Sequence, residues 1–433
     1  MRVWLVTVGE PLPTDDGNQR LHRTGMLASS LGLQGHDVTW WVSTFDHHQK
    51  IQRWEDDRTL VLDEHYRLQV VYSPGYAKNV SIQRIADHNL HARRVRWRML
   101  SEADRPDVIL CSLPTLDLCR VAVDYGRAFD VPVVLDIRDL WPDIFLDAVP
   151  AWLHWAARPA LLPMFRAAAY ACSRATAITG ITSAFVDWGL AYARRSRSDL
   201  DRDFPLGYLN RSQPLPTMAE ARQFWSDVGL DSSVGLRVCF FGSLSWTMAD
   251  EMFTVIEAAR QLQMQGDNTQ FVICGSGENL DAYRKAAQGC NNIVFPGWVD
   301  APQIRVLMEM SSAGLLPYRS RADFARSIPN KVAEYLSAGL PVISSLRGVT
   351  EHLLEENDCG VTYQNGDASS LFQLLRALGS DGQRMHTMAR NAASLFARRF
   401  DASRVYDEMG TYLQDVVSVN TRIAANGDSI RRE

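Results

Sequence analysis

Two successive α/β domains, each built on a parallel sheet, are what this sequence predicts, and three observations carry the prediction. From the first residue, short apolar runs of strand length alternate with longer stretches of helical period, the order that gives parallel strands joined by crossover helices. The pattern breaks over a stretch rich in Arg, Ser, Asp and Pro, from Arg194 to Pro216, and then restarts. With 433 residues, 46% hydrophobic and 22% charged, the chain has the size and the apolar material for two separate cores.

The elements follow in order. RVWLVTV from Arg2 reads as a buried strand, LHRTGMLASSLGLQG as a helix and HDVTWWVS as the next strand. DVILCS, VPVVLDI and ATAITGI add strands whose carboxyl ends should share one edge, where open α/β sheets hold ligands. After the break, LRVCFFGSLS, MADEMFTVIEAARQL and TQFVICGSGE form a second strand, helix and strand series, continued by NIVFPGWV and AGLLPY. Then comes SIPNKVAEYLSAGLPVISS, Ser327 to Ser345. Ser327 is expected to cap a helix of about three turns, with Pro329 in its first turn and Gly339 ending it before Pro341. Asn330, Lys331 and Glu334 would share one side and Val332 and Leu336 an apolar side. A free helix start beside such polar groups suits an anion; the alternative is an ordinary surface helix with Lys331 and Glu334 as a solvated pair. Ser369 to Val417 is helical in pattern, and the polar tail from Thr421 to Glu433 is expected to fray.

Composition excludes several classes. A formal net charge of −5 argues against a general nucleic-acid binder. Seven cysteines without a CxxC pair read as reduced thiols in a cytosolic protein. The start MRVWLVTVGE lacks the build of a signal peptide. The most membrane-like segment, AVPAWLHWAARPALLPMFRAAAYA, is broken by charges and prolines and should not span; Trp152, Trp155 and Arg158 either lie at a lipid interface or pack on their own domain. The absence of GxGxxG, GxxxxGK[ST] and HExxH weakens nicotinamide, nucleotide triphosphatase and zinc hydrolase readings. RRVRWR, Arg93 to Arg98, is a basic helical run, either a solvated face or a contact for anionic lipid.

Five loops at strand ends carry the candidate chemistry. GEPLPTDDGN, Gly9 to Asn18, contains Gly17, which lets backbone approach a ligand, while Asp16 and Asn18 either address that ligand or cap the next helix. LDIRDLWPD ends a strand in Arg138 and Asp139; Arg138 would grip a phosphate or carboxylate by its planar fork, or pair with Asp139 or Asp143. FFGSLS presents Gly242 and Ser243, and CGSGE presents Gly275. FPGWV presents Trp298 and Val299, the tryptophan either flanking a ligand or sitting in the core.

Over nearly the whole chain these segments resemble the retaining glycosyltransferases of family 4, in the subgroup that builds surface polysaccharides, and the resemblance is strongest over Phe240 to Val342 and over Leu135 to Asp143. The resemblance implies GT-B architecture: two Rossmann-like domains facing a cleft, 1–205 for the acceptor and 206–395 for the donor, with 396–433 as a helix and tail returning to the first. It implies a nucleotide diphosphate sugar as donor, held by Gly17, Gly242, Ser243, Gly275, Trp298, Val299, Arg326, Ser327, Asn330 and Glu334. Glu334 takes the ribose; Arg326 stands where relatives often place a second, sugar-contacting glutamate. Lys331, Arg138 and Asp139 are the catalytic candidates, and Asp16 and Asn18 address a glycan or lipid-linked glycan acceptor. No cofactor or metal is expected, and the setting is cytoplasmic, peripheral at the inner face of the plasma membrane. The rival readings are a nucleotide-sugar epimerase or hydrolase of the same fold and an inactive nucleotide-sugar binding protein.

Overall fold

A computed structural model describes the chain apart from residues 16–19, 80, 148, 211–214, 231–234, 246–247 and 431–433. It divides into two compact units, Met1–Gly207 with Ala402–Glu433, and Tyr208–Asp401.

The first unit is an eight-stranded sheet in the order Arg202–Asp203, Ala177–Gly180, Val133–Ile137, Val108–Leu113, Arg2–Val6, Asp37–Ser43, Tyr66–Val71, Arg58–Val61. Every pairing is parallel except the last. The central strands are buried along almost their whole length, as expected of a parallel sheet covered by helices on both faces. The Arg-rich break is only partly a connection: Arg202–Asp203 adds an edge strand, and Asp201 beside it accepts from Ile178 N at 2.9 Å and from the Arg195 guanidinium at 2.6 and 2.7 Å. Satisfying those edge groups draws the polar stretch into the first unit.

The second unit is a six-stranded, all-parallel sheet, Ile293–Gly297, Gln270–Cys274, Arg237–Phe241, Ala313–Leu316, Val342–Ser344, Gly360–Thr362. The chain leaves this unit after Asp401, beyond the step at 395 drawn from sequence. The helix Gly382–Leu395 continues into a π-helical turn, Phe396–Phe400, whose two phenylalanines are buried in the second core. The helix Ala402–Ile430 then packs on Arg23–Leu33 in the first unit. It runs ten residues into the tail that was expected to fray, because extending an existing helix costs far less than starting one.

Candidate functional site

In the second unit, the adjacent strands Arg237–Phe241 and Gln270–Cys274 end in glycine turns that touch through their backbones. Gly242 and Gly275 have φ of +148° and +139°, and a Cβ on Gly275 would lie 1.8 Å from the Gly242 carbonyl oxygen. Gly242 N donates to Cys274 O at 3.1 Å, Leu244 N to Ser276 O at 2.9 Å and Gly275 N to Gly297 O at 2.7 Å, so three strand ends are tied at one point. Gly275→Ala should therefore destabilise the chain by about 3 kcal/mol or more, since strain at a special backbone conformation adds to a clash that only the sheet could relieve. Thermal unfolding checks this, and a variant melting within a degree of wild type would show that the crossing can open.

The helix Asn330–Ser337 brings Lys331 to this point: a Cβ on Gly242 would meet Lys331 Nζ at 2.6 Å. The ammonium also faces the rings of Phe240 and Tyr318, 5.4 and 6.0 Å from their centroids, a weak cation–π pair that holds the side chain inward. Tyr335 fixes the helix. Its hydroxyl donates to Leu315 O at 3.1 Å, and its ring fills the space above Gly314, where a Cβ would come within 2.3 Å of it. With Val332, Ala333 and Leu336 also buried, Lys331 and Glu334 remain half-buried on one side and Asn330 is exposed. Gly339, with φ of +68°, ends the helix as its sequence position predicts.

The helix start differs from expectation. Pro329 occupies the cap position, and the helix has about two turns. Ser327 instead ends the preceding short helix Ala322–Arg326, its N–H donating to Phe324 O at 3.2 Å. The cause is Pro329 itself, which disfavours helical backbone at Ile328 and so separates Ser327 from the helix it was expected to cap. Arg326 and Ser243 are exposed, and Val299 is buried. Trp298 is 73% exposed, which removes its alternative as a core residue. Arg319 pairs with Asp250 at 2.8 Å and Arg321 with Asp323 at 2.9 Å.

In the first unit, strand ends, the segment after Ser43 and the helix Ile82–Ser101 line a pocket of ≈ 280 Å³. Arg138 and Asp139 both line it, as the strand Val133–Ile137 predicts. Arg138, however, pairs with neither Asp139 nor Asp143. Its Nη1 donates to Glu10 Oε1 and to Thr24 Oγ1 (3.0 Å), and its Nε lies 4.0 Å from Asp136. Asp143 instead accepts from Trp188 Nε1 at 2.9 Å and Tyr192 OH at 2.7 Å. Burial alone would raise the Glu10 pKa, but the Arg138 guanidinium and the Thr24 hydroxyl outweigh it and hold the carboxyl below its ordinary value. A phosphate at Arg138 would have to displace this carboxylate. Gly17, Asp16 and Asn18 lie outside the described residues; neighbouring Asp15 is clamped by Arg53 at 2.5 and 2.7 Å.

Five histidines also line this pocket: His22, His47, His48, His88 and His91. His47 Nδ1 lies 2.5 Å from Tyr76 OH, and His88 stacks on Trp141 with centroids 6.1 Å apart. No HExxH joins these histidines, but Arg84, Asp87, His88 and His91 recur at helical spacing along one face of Ile82–Ser101, the signal by which sequence could mark them. Among the described residues, no three or more His, Cys, Asp or Glu side chains are grouped to hold a metal ion.

Burial pushes His88 down to about 3 and His91 to about 4 from an ordinary 6.5, so both stay neutral at pH 7. Because the unfolded chain takes up these protons first, stability is full above pH 6.5 and falls as pH drops from there toward 4. A melting temperature that declines over that window checks the sign. A flat profile in wild type, or an unchanged slope in His88→Asn/His91→Gln, would contradict it.

The comparisons with known proteins bear on the two units differently. Residues 235–381, within the second unit, match the family Glycosyl transferases group 1. The amylovoran biosynthesis glycosyltransferase AmsK of Erwinia amylovora is 28% identical over 166 residues, 37% of this chain and 40% of that protein. The chain thus aligns with about two fifths of the length of the curated relatives it matches. Solved structures agree over far more of it. Sucrose-phosphate synthase from Thermosynechococcus elongatus matches with a TM-score of 0.68 at 14% identity, covering 96% of this chain and 99% of that one. HepE of Anabaena in complex with UDP matches with a TM-score of 0.62 at 15% identity, with the same coverage. At such identities the likeness is one of fold. The chain has a GT-B fold of two Rossmann-like units, and its second unit carries the Glycosyl transferases group 1 segment together with Gly242, Gly275, Lys331 and Glu334.

Proposed function

We propose that this chain is a retaining glycosyltransferase that moves a sugar from a nucleotide diphosphate sugar to a hydroxyl acceptor during assembly of a bacterial surface polysaccharide such as capsule or O-antigen. The carrying observation is the Lys331 ammonium set against Gly242 where two glycine turns meet, inside the segment that matches Glycosyl transferases group 1. Breaking a sugar–diphosphate bond builds negative charge on the leaving oxygens, and a fixed cation beside backbone without Cβ atoms answers that need.

In this reading the diphosphate lies over Gly242, Ser243 and Gly275 against Lys331, Glu334 takes the ribose diol, and the exposed Trp298 flanks the base. Arg326, Ser327 and Asn330 border the donor from the helix start. The first-unit pocket with Asp139 receives the acceptor, a glycan or lipid-linked glycan, and Asp139 orients its hydroxyl. The acceptor oxygen bonds to the anomeric carbon on the face from which the phosphate oxygen departs, and its proton passes to that phosphate. No protein nucleophile is required, and Lys331 with backbone N–H groups takes the part a metal would otherwise play. The UDP and UDP-glucose complexes of HepE favour a uridine donor. The setting is cytoplasmic: all seven cysteines are buried free thiols, as in a reducing compartment. No helix among the described residues is long and apolar enough to cross a membrane.

Thermal stabilisation by UDP, GDP, dTDP, CMP and NAD, with and without a divalent cation, tests this. Selective stabilisation by one nucleoside diphosphate that is lost in Glu334→Ala is the expected result. Response to none of the diphosphates, or to NAD alone, overturns the reading.

A further inference from the structure

We propose that the outer face of the helix Ile82–Ser101, with the segment from Trp152 to Arg166 one helix away, docks this chain on a bilayer containing anionic lipid. The helix has two faces of opposite use. Its inner face carries Arg84, Asp87, His88 and His91 into the pocket. Its outer face exposes two apolar pairs, each three residues apart, Ile82 (85%) with Ile85 and Trp97 (66%) with Leu100, and the exposed Arg93 and Arg96 lie on the same face between the pairs. Asp87 is the helix's one acidic residue, and it is buried.

A second helix repeats the pattern. Leu116–Phe129 packs on both Ile82–Ser101 and His154–Arg174, so the three lie side by side in the first unit. His154–Arg174 contains no acidic residue. Trp155 (77% exposed), Arg158, Leu162 and Arg166 share one of its faces, and Trp152, 72% exposed, stands just before it.

The mixture selects the occupant. A protein partner calls for an apolar centre with charges at its rim. Here apolar pairs at both ends flank central guanidinium groups along about 30 Å of helix, the length of 20 residues at 1.5 Å each, so no apolar centre exists. That arrangement suits a lipid interface, where tryptophan and aliphatic side chains enter below the headgroups while arginines meet phosphates at their own level. Docked this way, the chain holds its pocket about one helix diameter, roughly 10 Å, from the headgroups. A lipid-anchored acceptor can reach across that distance. The surface therefore names the partner for the acceptor side of the proposed function, although vesicle binding itself needs no transfer reaction.

The test is co-sedimentation of the full chain with vesicles of phosphatidylethanolamine and phosphatidylglycerol (3:1) and with pure phosphatidylcholine. Binding to the anionic vesicles that weakens with salt is expected. Ile85→Glu/Trp97→Glu and Arg93→Glu/Arg96→Glu should each weaken it at least tenfold, with melting temperature unchanged because these positions are exposed. The nucleotide-induced thermal shift, read on the same samples, reports the donor site separately, so a failure there leaves this inference standing. No binding to anionic vesicles, or binding undiminished in both variants, overturns it. So does a wild-type dimer that the variants dissolve without any change in vesicle binding, which would assign the face to a second copy of the chain.

Discussion

Lys331→Ala is expected to lower sugar transfer by about 10²- to 10³-fold, the range for removing one preorganised group that stabilises developing charge. In the reaction we propose, the effect should fall on kcat, because a leaving diphosphate would gain charge in the transition state beyond what it carries in the bound donor. Folding should survive. Lys331 is half-buried, and the helix is held by Tyr335, Val332 and Leu336 rather than by the ammonium. Lys331→Met, which keeps the length and apolar character of the stem, separates charge from packing and should be as slow as the alanine variant. The measurement is turnover of whichever nucleotide sugar stabilises the chain, with the melting temperature as the control for folding. Normal turnover in either variant removes Lys331 from the mechanism.

Asp136→Ala should cost about 3–5 kcal/mol of stability, because it leaves a guanidinium buried without its counter-charge. Arg23 donates to both carboxylate oxygens of Asp136, at 2.8 and 3.0 Å, with both side chains only 1% exposed. Thr179 Oγ1 adds a third bond at 2.9 Å, and Arg23 reaches on to the carbonyls of Phe204 and Pro205 at 2.9 and 3.0 Å. The pair thus ties the helix Arg23–Leu33 to the strand before Arg138 and to the last stretch before Gly207. Burial would raise the Asp136 pKa, but the guanidiniums of Arg23 and Arg138 reverse this and leave it lowered from 3.8. The stability it contributes is present above pH 3.8 and is lost as pH falls through the lower folded value. Acid unfolding of wild type should therefore show the histidine loss beginning near pH 6.5 and the loss from Asp136 only below 3.8. In Asp136→Ala the melting temperature at pH 7 should drop by roughly 10 °C, at 2–4 °C per kcal/mol for a unit of this size. An unchanged value would show that water replaces the lost carboxylate at no cost.

The two-unit α/β architecture was legible in the chain, because each strand is a short apolar run and each connection a helix-length periodic stretch. Both signals are local. The glycine turns after Phe241 and Cys274, the helix of Lys331 and Glu334, and the strand ending in Arg138 and Asp139 could all be placed on those grounds. What sequence could not determine was partnership. Arg138 has acidic neighbours two positions before it and one and five positions after it, yet its closest partner is Glu10, 128 positions away, because the sheet brings the end of the strand Arg2–Val6 nearer than the turn's own carboxylates; Asp136, on the strand that leads into Arg138, lies 4.0 Å off. The histidine pocket was hidden for the same reason. Its members come from separate elements, and only the adjacency of His47 and His48 and the helical spacing of His88 and His91 mark any of them in one dimension. Ser327 lost its expected role to a proline two residues on, a local rule that outweighed another local rule. Exposure came last. Whether Trp97, Trp155 and Trp298 belonged to cores or to surfaces depended on which helix faces the two sheets covered, and only the tertiary structure decided that, since burial is a property of packing and not of spacing.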